Sequence, residues 1–124
     1  MEKTAVWIDH STAHIFDYNE EGAHPRALLN NHQVTAKEGN SNEHTKSFYH
    51  EVATALKDCK SILLMGPGQA KEEFKNHCES HHHLINDEIF KVESMKDHAS
   101  NPEIIEFSGK IFQEHFNWTP SGKM

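Results

Sequence analysis

Residues 61–74 constrain the fold of this chain more than any other stretch. They read SILLMGPGQAKEEF, in which a short apolar run meets a Gly-Pro-Gly corner and an amphipathic segment follows. The run at residues 62–65 is too short for a buried helix and predicts a buried parallel strand, while residues 69–82 predict a helix. Such a junction places a helix N-terminus at the carboxyl edge of a sheet, where α/β proteins usually bind ligands.

Other periodic segments predict the elements around this junction. Strands are predicted at residues 4–9, 13–18, within 27–34 and 88–93, with helices at residues 43–60 and from Asn101, the expected N-cap, to about 116. The order β-β-β-α-β-α-β-α is that of a meander followed by two right-handed crossover units. It predicts a ribonuclease H-like α/β fold, with a mixed five-stranded sheet of order 3-2-1-4-5 and helices on both faces. We expect a single domain over residues 1–124, with a core at 4–116 and a frayed tail at 117–124.

Composition narrows the classes of partner. The 124 residues carry a formal net charge of −7 with a single arginine, Arg26, which argues against a domain that grips nucleic acid by phosphate neutralisation alone. Twelve histidines are partly protonated near pH 6, so a patchy His/Lys surface that touches RNA stays open. Cys59 and Cys78 are expected to be buried thiols rather than a disulfide. With no membrane-spanning run and no leader-like segment, we expect a reduced, cytoplasmic protein.

The sheet edge beside the Gly-Pro-Gly corner is a candidate ligand site. In the predicted order, the first and fourth strands end side by side, and these ends carry Asp9, His10, Gly66, Gly68 and Gln69. Unpaired N–H groups at the start of the following helix could hold a phosphate there. A tight turn that needs glycine for its geometry alone explains the same residues. The run is also too short for a phosphate-binding Walker loop, and its proline lacks a donor.

Evidence for an enzyme is weak. Asp9 ends the first strand, where ribonuclease H-like nucleases place a metal-binding carboxylate, and Glu51 could supply a second. Such sites need three or four converging carboxylates to hold two magnesium ions, and the end of the fourth strand supplies none. No nucleophile elbow supports a Ser–His–Asp arrangement either.

Histidines cluster at the end of the second long helix. His77 and His81 stand at i and i+4 on one face, a spacing that can bind zinc or nickel, within a group that continues to His83. A polar helix end whose imidazolium groups meet the helix dipole is the alternative, and so is adventitious binding of a divalent metal. No cofactor is predicted. The remaining histidines near the long polar segment are expected to be solvated: His24, His32, His44 and His50.

Three segments carry a family resemblance. They are AVWIDH from Ala5, HEVA from His50 and above all ILLMGPGQAKEEF from Ile62. They resemble the middle domain of eukaryotic and archaeal peptide-chain release factors and Pelota, and more closely the small stand-alone bacterial proteins described as translational machinery components. The resemblance covers residues 4–116 and implies the same ribonuclease H-like fold and a translation-associated role.

One motif of that family is missing. Release factors carry a Gly-Gly-Gln loop between the third strand and the first long helix, and it reaches the peptidyl-tRNA ester. The corresponding residues 30–45 contain no such triplet, and Gly68-Gln69 follows the fourth strand instead, so it cannot inherit that role. Pelota-type proteins also lack the triplet and act on stalled ribosomes without hydrolysing the ester. The resemblance therefore implies a non-hydrolytic protein that binds the ribosome or tRNA.

The polar segment at residues 30–45 and its border are where we expect partner contact, through His32, Lys37, His44 and Lys46. The alternative function is a small-ligand or metal-binding stress protein that uses the Gly-Pro-Gly corner or the histidine cluster. An enzyme is the third and least favoured class. The exposed edge of the third strand offers a pairing surface for a homodimer, and no membrane contact is expected.

Overall fold

A mixed five-stranded sheet lies at the centre of the protein. The computed structural model describes residues 3–31 and 41–120, except for the side chains of residues 41–44. Its elements in chain order are β1 (Lys3–Ile8), β2 (Thr12–Asn19), β3 (Gly22–Asn30), α1 (Ser41–Ala55), β4 (Ile62–Gly66), α2 (Ala70–His81), α3 (His83–Glu88), β5 (Ile89–Ser94) and α4 (Asn101–Phe116). The strand order is β3-β2-β1-β4-β5, which confirms the predicted fold class and topology.

β1 and β4 form the middle of the sheet, and every residue of both strands is buried. They pair in parallel, with Val6 opposite Leu64 and Trp7 opposite Met65. β2 pairs antiparallel with β1, and β5 pairs in parallel with β4. Strands that are covered on both faces need apolar side chains on both, which explains the continuous apolar runs from which they were predicted.

Helices pack on both faces of this sheet. Successive side chains of a strand point to opposite faces, so β1 contributes to two cores. Val6 packs with Phe74 in the core under α1 and α2. Trp7 packs on the other face with Phe112 of α4.

β3 begins earlier than its sequence predicts. The strand was expected within residues 27–34, whereas β3 begins at Gly22. Pairing with β2 extends the strand back through Pro25, which is tolerated because β3 is an edge strand and the pairing has a bulge after Ile15. Propensity alone could not show this, because proline opposes a strand assignment. Residues 32–34 lie outside the described part of the chain.

The helix bounds also differ from the pattern in two places. α1 ends at Ala55, although apolar periodicity predicts helix as far as Lys60. The backbone tightens directly after this end, since the N–H of Leu56 donates to the carbonyl oxygen of Ala53 at 3.0 Å, and Asp58 then turns the chain with φ of 70°. α3 was not predicted, because six residues are too few to show a helical period.

The N-cap of α4 is Ser100, and the prediction of Asn101 is wrong. The Ser100 hydroxyl accepts a hydrogen bond from the Glu103 N–H at 3.3 Å, and the Glu103 carboxylate accepts one from the Ser100 N–H at 2.8 Å. Serine and asparagine are equally good N-cap residues, so residue type alone does not distinguish Ser100 from Asn101. The Ser-x-x-Glu spacing of a capping box, from Ser100 to Glu103, does distinguish them. Hydrogen bonds from Lys96 and Ser100 lower the pKa of the Glu103 carboxyl to about 2.

Beyond α4, the chain packs against the core as far as Trp118. Fraying was expected from Asn117, but that residue ends α4 as a left-handed C-cap with φ of 54°. The Trp118 ring then meets the rings of Tyr18 and Phe112 edge-on. Residues 121–124 lie outside the described part.

No helix within residues 3–31 and 41–120 is long and apolar enough to cross a membrane. Cys59 and Cys78 are both buried and form no disulfide, as predicted. Burial raises the pKa of the Cys78 thiol to about 12, so this side chain stays protonated and unreactive at neutral pH.

Glycine at position 66 is required by the close approach of two strands. Its backbone has φ of +150°, and a Cβ atom added there would overlap the carbonyl oxygen of Ile8 in β1. Its own carbonyl oxygen accepts a hydrogen bond from the Met95 N–H at 3.0 Å, just beyond β5. The end of β4 is thus fixed to both of its neighbours through backbone atoms alone.

We predict that Gly66→Ala lowers the free energy of unfolding by about 2–4 kcal/mol, because it combines a backbone clash with a strained φ. Gly68→Ala is the matched control. Gly68 also has a positive φ, of +60°, but a Cβ there meets nothing within 4 Å, so its cost should be about 1–2 kcal/mol from backbone strain alone. Urea titration followed by circular dichroism measures both, and equal losses would contradict the role assigned to Gly66.

We also predict that Ser100→Ala lowers the free energy of unfolding by about 1 kcal/mol, since it removes the side-chain cap of α4. Asn101→Ala serves as the comparison, and an exposed residue within the first turn should change stability by less than about 0.5 kcal/mol. Thermal melting of the two variants side by side decides between the caps. A larger loss for Asn101→Ala would restore the prediction made from the sequence.

Candidate functional site

The carboxyl ends of β1 and β4 meet at one edge of the sheet, and α2 begins there. The backbone of Gly66 touches Ile8, and the His10 ring reaches Glu73 in the first turn of α2. Gly68 and the exposed Gln69 lie in the connection between β4 and α2. The topology therefore brings the predicted corner residues to one edge.

Asp9 holds the turn between β1 and β2. Its Oδ1 atom accepts hydrogen bonds from the N–H groups of Ser11 and Thr12, both at 2.8 Å, and its own N–H donates to the Thr12 carbonyl at 3.0 Å. The Asp9 side chain thus has a structural role, because its hydrogen bonds stabilise the turn. Within the described residues, no group of three or more potential metal ligands includes Asp9 or Glu51. The nuclease hypothesis gains no support.

Glu73 joins three elements beside the corner. Its Oε1 atom accepts a hydrogen bond from the Tyr49 hydroxyl at 2.9 Å and lies 3.0 Å from Nε2 of His10. Burial, together with the bond to this carboxylate and its charge, raises the pKa of Tyr49 well above its usual range. The carboxylate stands in the first turn of α2, where the helix dipole favours negative charge. α1, α2 and the β1–β2 turn are thereby linked through one side chain.

A buried lysine in α2 bonds back to the connection between β4 and α2. Lys71 is 4% exposed, and its ammonium donates a hydrogen bond to the Gly68 carbonyl oxygen at 2.6 Å. Gln69 occupies the N-cap position without a side-chain capping bond. Glu72 and Glu73 place two carboxylates in the first turn and weaken its attraction for an anion. Anion binding at this corner stays a prediction.

Three of the four predicted partner-contact residues have side chains outside the part of the chain that the structure describes. His32 and Lys37 lie outside the described residues, and so does the side chain of His44 in α1. Lys46 is exposed on the second turn of α1. His24, expected in a loop, lies in β3, and its Nε2 atom is 3.2 Å from Oδ1 of Asn19.

A three-histidine cluster lies between α1 and the end of α2. His50 comes from α1, His77 from α2, and His82 is the C-cap of α2. One ring nitrogen from each lies within 4.8 Å of the others. Nδ1 of His50 and Nε2 of His82 are 3.3 Å apart. His77 was predicted as a metal ligand together with His81, whose ring centroid is 4.9 Å from that of His77.

His77 is the most perturbed member of this cluster. Burial, followed by the positive charges of neighbouring histidines and Lys46, lowers its pKa to about 4. Its Nε2 atom is buried and has no hydrogen-bond partner among the described residues. The pKa of His82 is also lowered, by partial burial and by His50 and His81. The ring of His77 is therefore neutral at pH 7.

The cluster borders an open cleft of about 550 Å³ beside the ends of α1 and α2. His82 belongs to both the cluster and the cleft wall, which also contains His81, His83 and Cys59. The histidine-rich end of α2 is thus accessible from solvent.

Sequence reasoning missed several of these residues. His50 was expected to be solvated, and its place in the cluster depends on how α1 packs beside α2, which no local spacing shows. Tyr49 and Lys71 were likewise not singled out. For Lys71, a lysine three residues after a glycine at the start of a helix was the one weak signal.

Comparisons with known proteins identify the fold. No protein-family model matches the chain, and no curated protein does. Among solved structures, Pelota from Thermoplasma acidophilum is similar with a TM-score of 0.65 and 23% identity over 86% of this chain and 31% of that one. Pelota from Archaeoglobus fulgidus has a TM-score of 0.64 and 20% identity, and the match covers 88% of this chain and 31% of that one. An archaeal translation termination factor has a TM-score of 0.58 and 13% identity, and the match covers 94% of this chain and 40% of that one.

These likenesses cover nearly all of this chain but much less of the larger proteins. The chain spans about a third of the length of the two Pelota proteins. At such identities the likeness establishes the architecture and leaves the activity open. The chain therefore has the fold of the middle domain of release factors and Pelota, as its sequence resemblance implied.

Proposed function

We propose that this chain is a translation-associated protein that binds the ribosome or tRNA and does not hydrolyse peptidyl-tRNA. The observation that carries the proposal is the likeness in fold to Pelota and to an archaeal translation termination factor over most of this chain. On the same ground we propose a cytoplasmic location. The fold alone hosts many functions, so the proposal also depends on what the chain carries and lacks at the equivalent places.

The non-hydrolytic part of the proposal rests on the position of one glutamine. The segment between β3 and α1 contains no Gly-Gly-Gln, and Gly68-Gln69 lies instead between β4 and α2. Gln69 follows β4, whereas the family's glutamine belongs to the connection between the third strand and the first long helix. A binding role that leaves the ester intact agrees with this arrangement.

Lys46 supplies a positive charge on α1, in a chain that is acidic as a whole. The net charge of −7 disfavours a broad phosphate-binding surface. Lys46, however, is exposed on α1 and lies close enough to His77 to lower its pKa. Lys46 and the histidine-rich end of α2 thus lie close together on the α1–α2 face. We propose that partner contact is made here and by His32, Lys37 and His44, as predicted from the sequence.

Sedimentation with ribosomes tests the proposal. Purified protein, mixed with ribosomes from its source organism, should co-sediment through sucrose, and more should bind when the ribosomes are stalled. Peptidyl-tRNA in the same mixtures should remain intact. Absence of the protein from every ribosomal fraction would contradict the binding role. Release of the peptide would contradict the claim that the protein does not hydrolyse peptidyl-tRNA.

A lysine pair tests the contact surface. Lys46→Gln should weaken ribosome binding and reduce the slope of log affinity against log salt by about one, because one phosphate contact is lost. Lys110→Gln removes the same charge from an exposed site on α4, against the opposite face of the sheet, and should leave both quantities unchanged. Equal effects of the two variants would show that ribosome binding depends on the net charge of the protein and not on this surface.

A further inference from the structure

We propose that His50, His77 and His82 form a binding site for a divalent transition-metal ion, with Zn²⁺ as its expected occupant, that joins α1 to the end of α2. The proposal does not depend on the proposed role in translation. Imidazole nitrogens suit zinc, and three histidines with a remaining position for water or another ligand form a known type of zinc site.

The spacing of the nitrogens fits such an ion. Zinc–nitrogen bonds of about 2.0–2.1 Å in a tetrahedral site place two ligand nitrogens about 3.3 Å apart. Nδ1 of His50 and Nε2 of His82 are 3.3 Å apart already. A ring nitrogen of His77 also lies within 4.8 Å of one ring nitrogen of each of the other two histidines, so a small side-chain adjustment completes the set.

His77 also has an unmet bonding requirement. Its Nε2 atom has lost contact with solvent and has no hydrogen-bond partner within the described part of the chain, which is costly for a polar atom. A metal ion bound through Nε2 of His77 would satisfy this buried nitrogen.

A simple hydrogen bond between His50 and His82 is the main competing explanation. It accounts for the 3.3 Å distance but leaves Nε2 of His77 without a partner, and it gives no reason for three imidazoles to converge. Nonspecific chelation by a histidine-rich surface is the other. That explanation involves the neighbouring histidines of α2 and α3 equally and does not require His50, which lies on a different helix.

The difference between these explanations defines the experiment. Full-length protein is stripped of metal with a chelator and titrated with Zn²⁺ in a calorimeter, and its melting is followed with and without the ion. We expect one ion per chain, and a rise in Tm of roughly 10 °C at a free Zn²⁺ concentration of about 100 times Kd. Visible absorption of the Co²⁺-loaded protein should report tetrahedral rather than octahedral coordination.

Matched histidine variants assign the ligands. His50→Gln, at an exposed position, should weaken Zn²⁺ binding at least about tenfold and so reduce the rise in Tm, at the same free Zn²⁺ concentration, by about half or more. His83→Gln makes the same change at an exposed position next to His82 but outside the cluster, and it should bind like the unaltered protein.

Two outcomes would overturn the site. If His83→Gln weakens binding as much as His50→Gln, the ion is chelated nonspecifically by the histidine-rich surface. If His50→Gln binds like the unaltered protein, the ion is held by the α2 end without α1. Unchanged circular dichroism of each metal-free variant keeps a folding defect from being mistaken for ligand loss. Because no ribosome enters these measurements, their failure is separate from failure of the translation proposal.

Discussion

The absence of a side chain at Gly66 is the constraint on which the rest of the structure depends. At this point β4 runs so close to the backbone of Ile8 that a Cβ atom has no room, and its φ of +150° is one that glycine tolerates. The same residue accepts a hydrogen bond from Met95 after β5. Three parallel strand ends are thereby held at one edge, and the chain must leave that edge into α2.

The sequence predicts this centre well because the causes are local there. A strand buried on both faces must be apolar throughout, and the turn that follows must contain glycine. The segment from β4 to α2 can therefore be recognised from a few residues of sequence. Prediction failed for more than one reason. A tertiary contact, the pairing with β2, holds Pro25 in a strand. Local backbone bonding directly after Ala55 ends α1 early, and the six residues of α3 are too few to show a helical period.

The residues of the candidate site likewise differ in whether local sequence spacing could reveal them. His77 was predicted as a metal ligand because its spacing from His81 lies within one helix. His50 could not be found in this way, since it is 27 residues away along the chain and meets His77 only through packing of α1 beside α2. Asp9 illustrates the opposite case. Its placement at a strand end suggested chemistry, and its two bonds to the following N–H groups explain its position by turn formation.

The two proposals meet on one surface, although each stands alone. Lys46 and His50 are four residues apart in α1 and so lie on the same helix face. A divalent cation held by His50 would add two positive charges close to Lys46, in a chain whose net charge is −7. The local potential of the α1–α2 face would then become more attractive to phosphate without any change in sequence. An acidic domain of this fold could in that way present a locally basic contact surface.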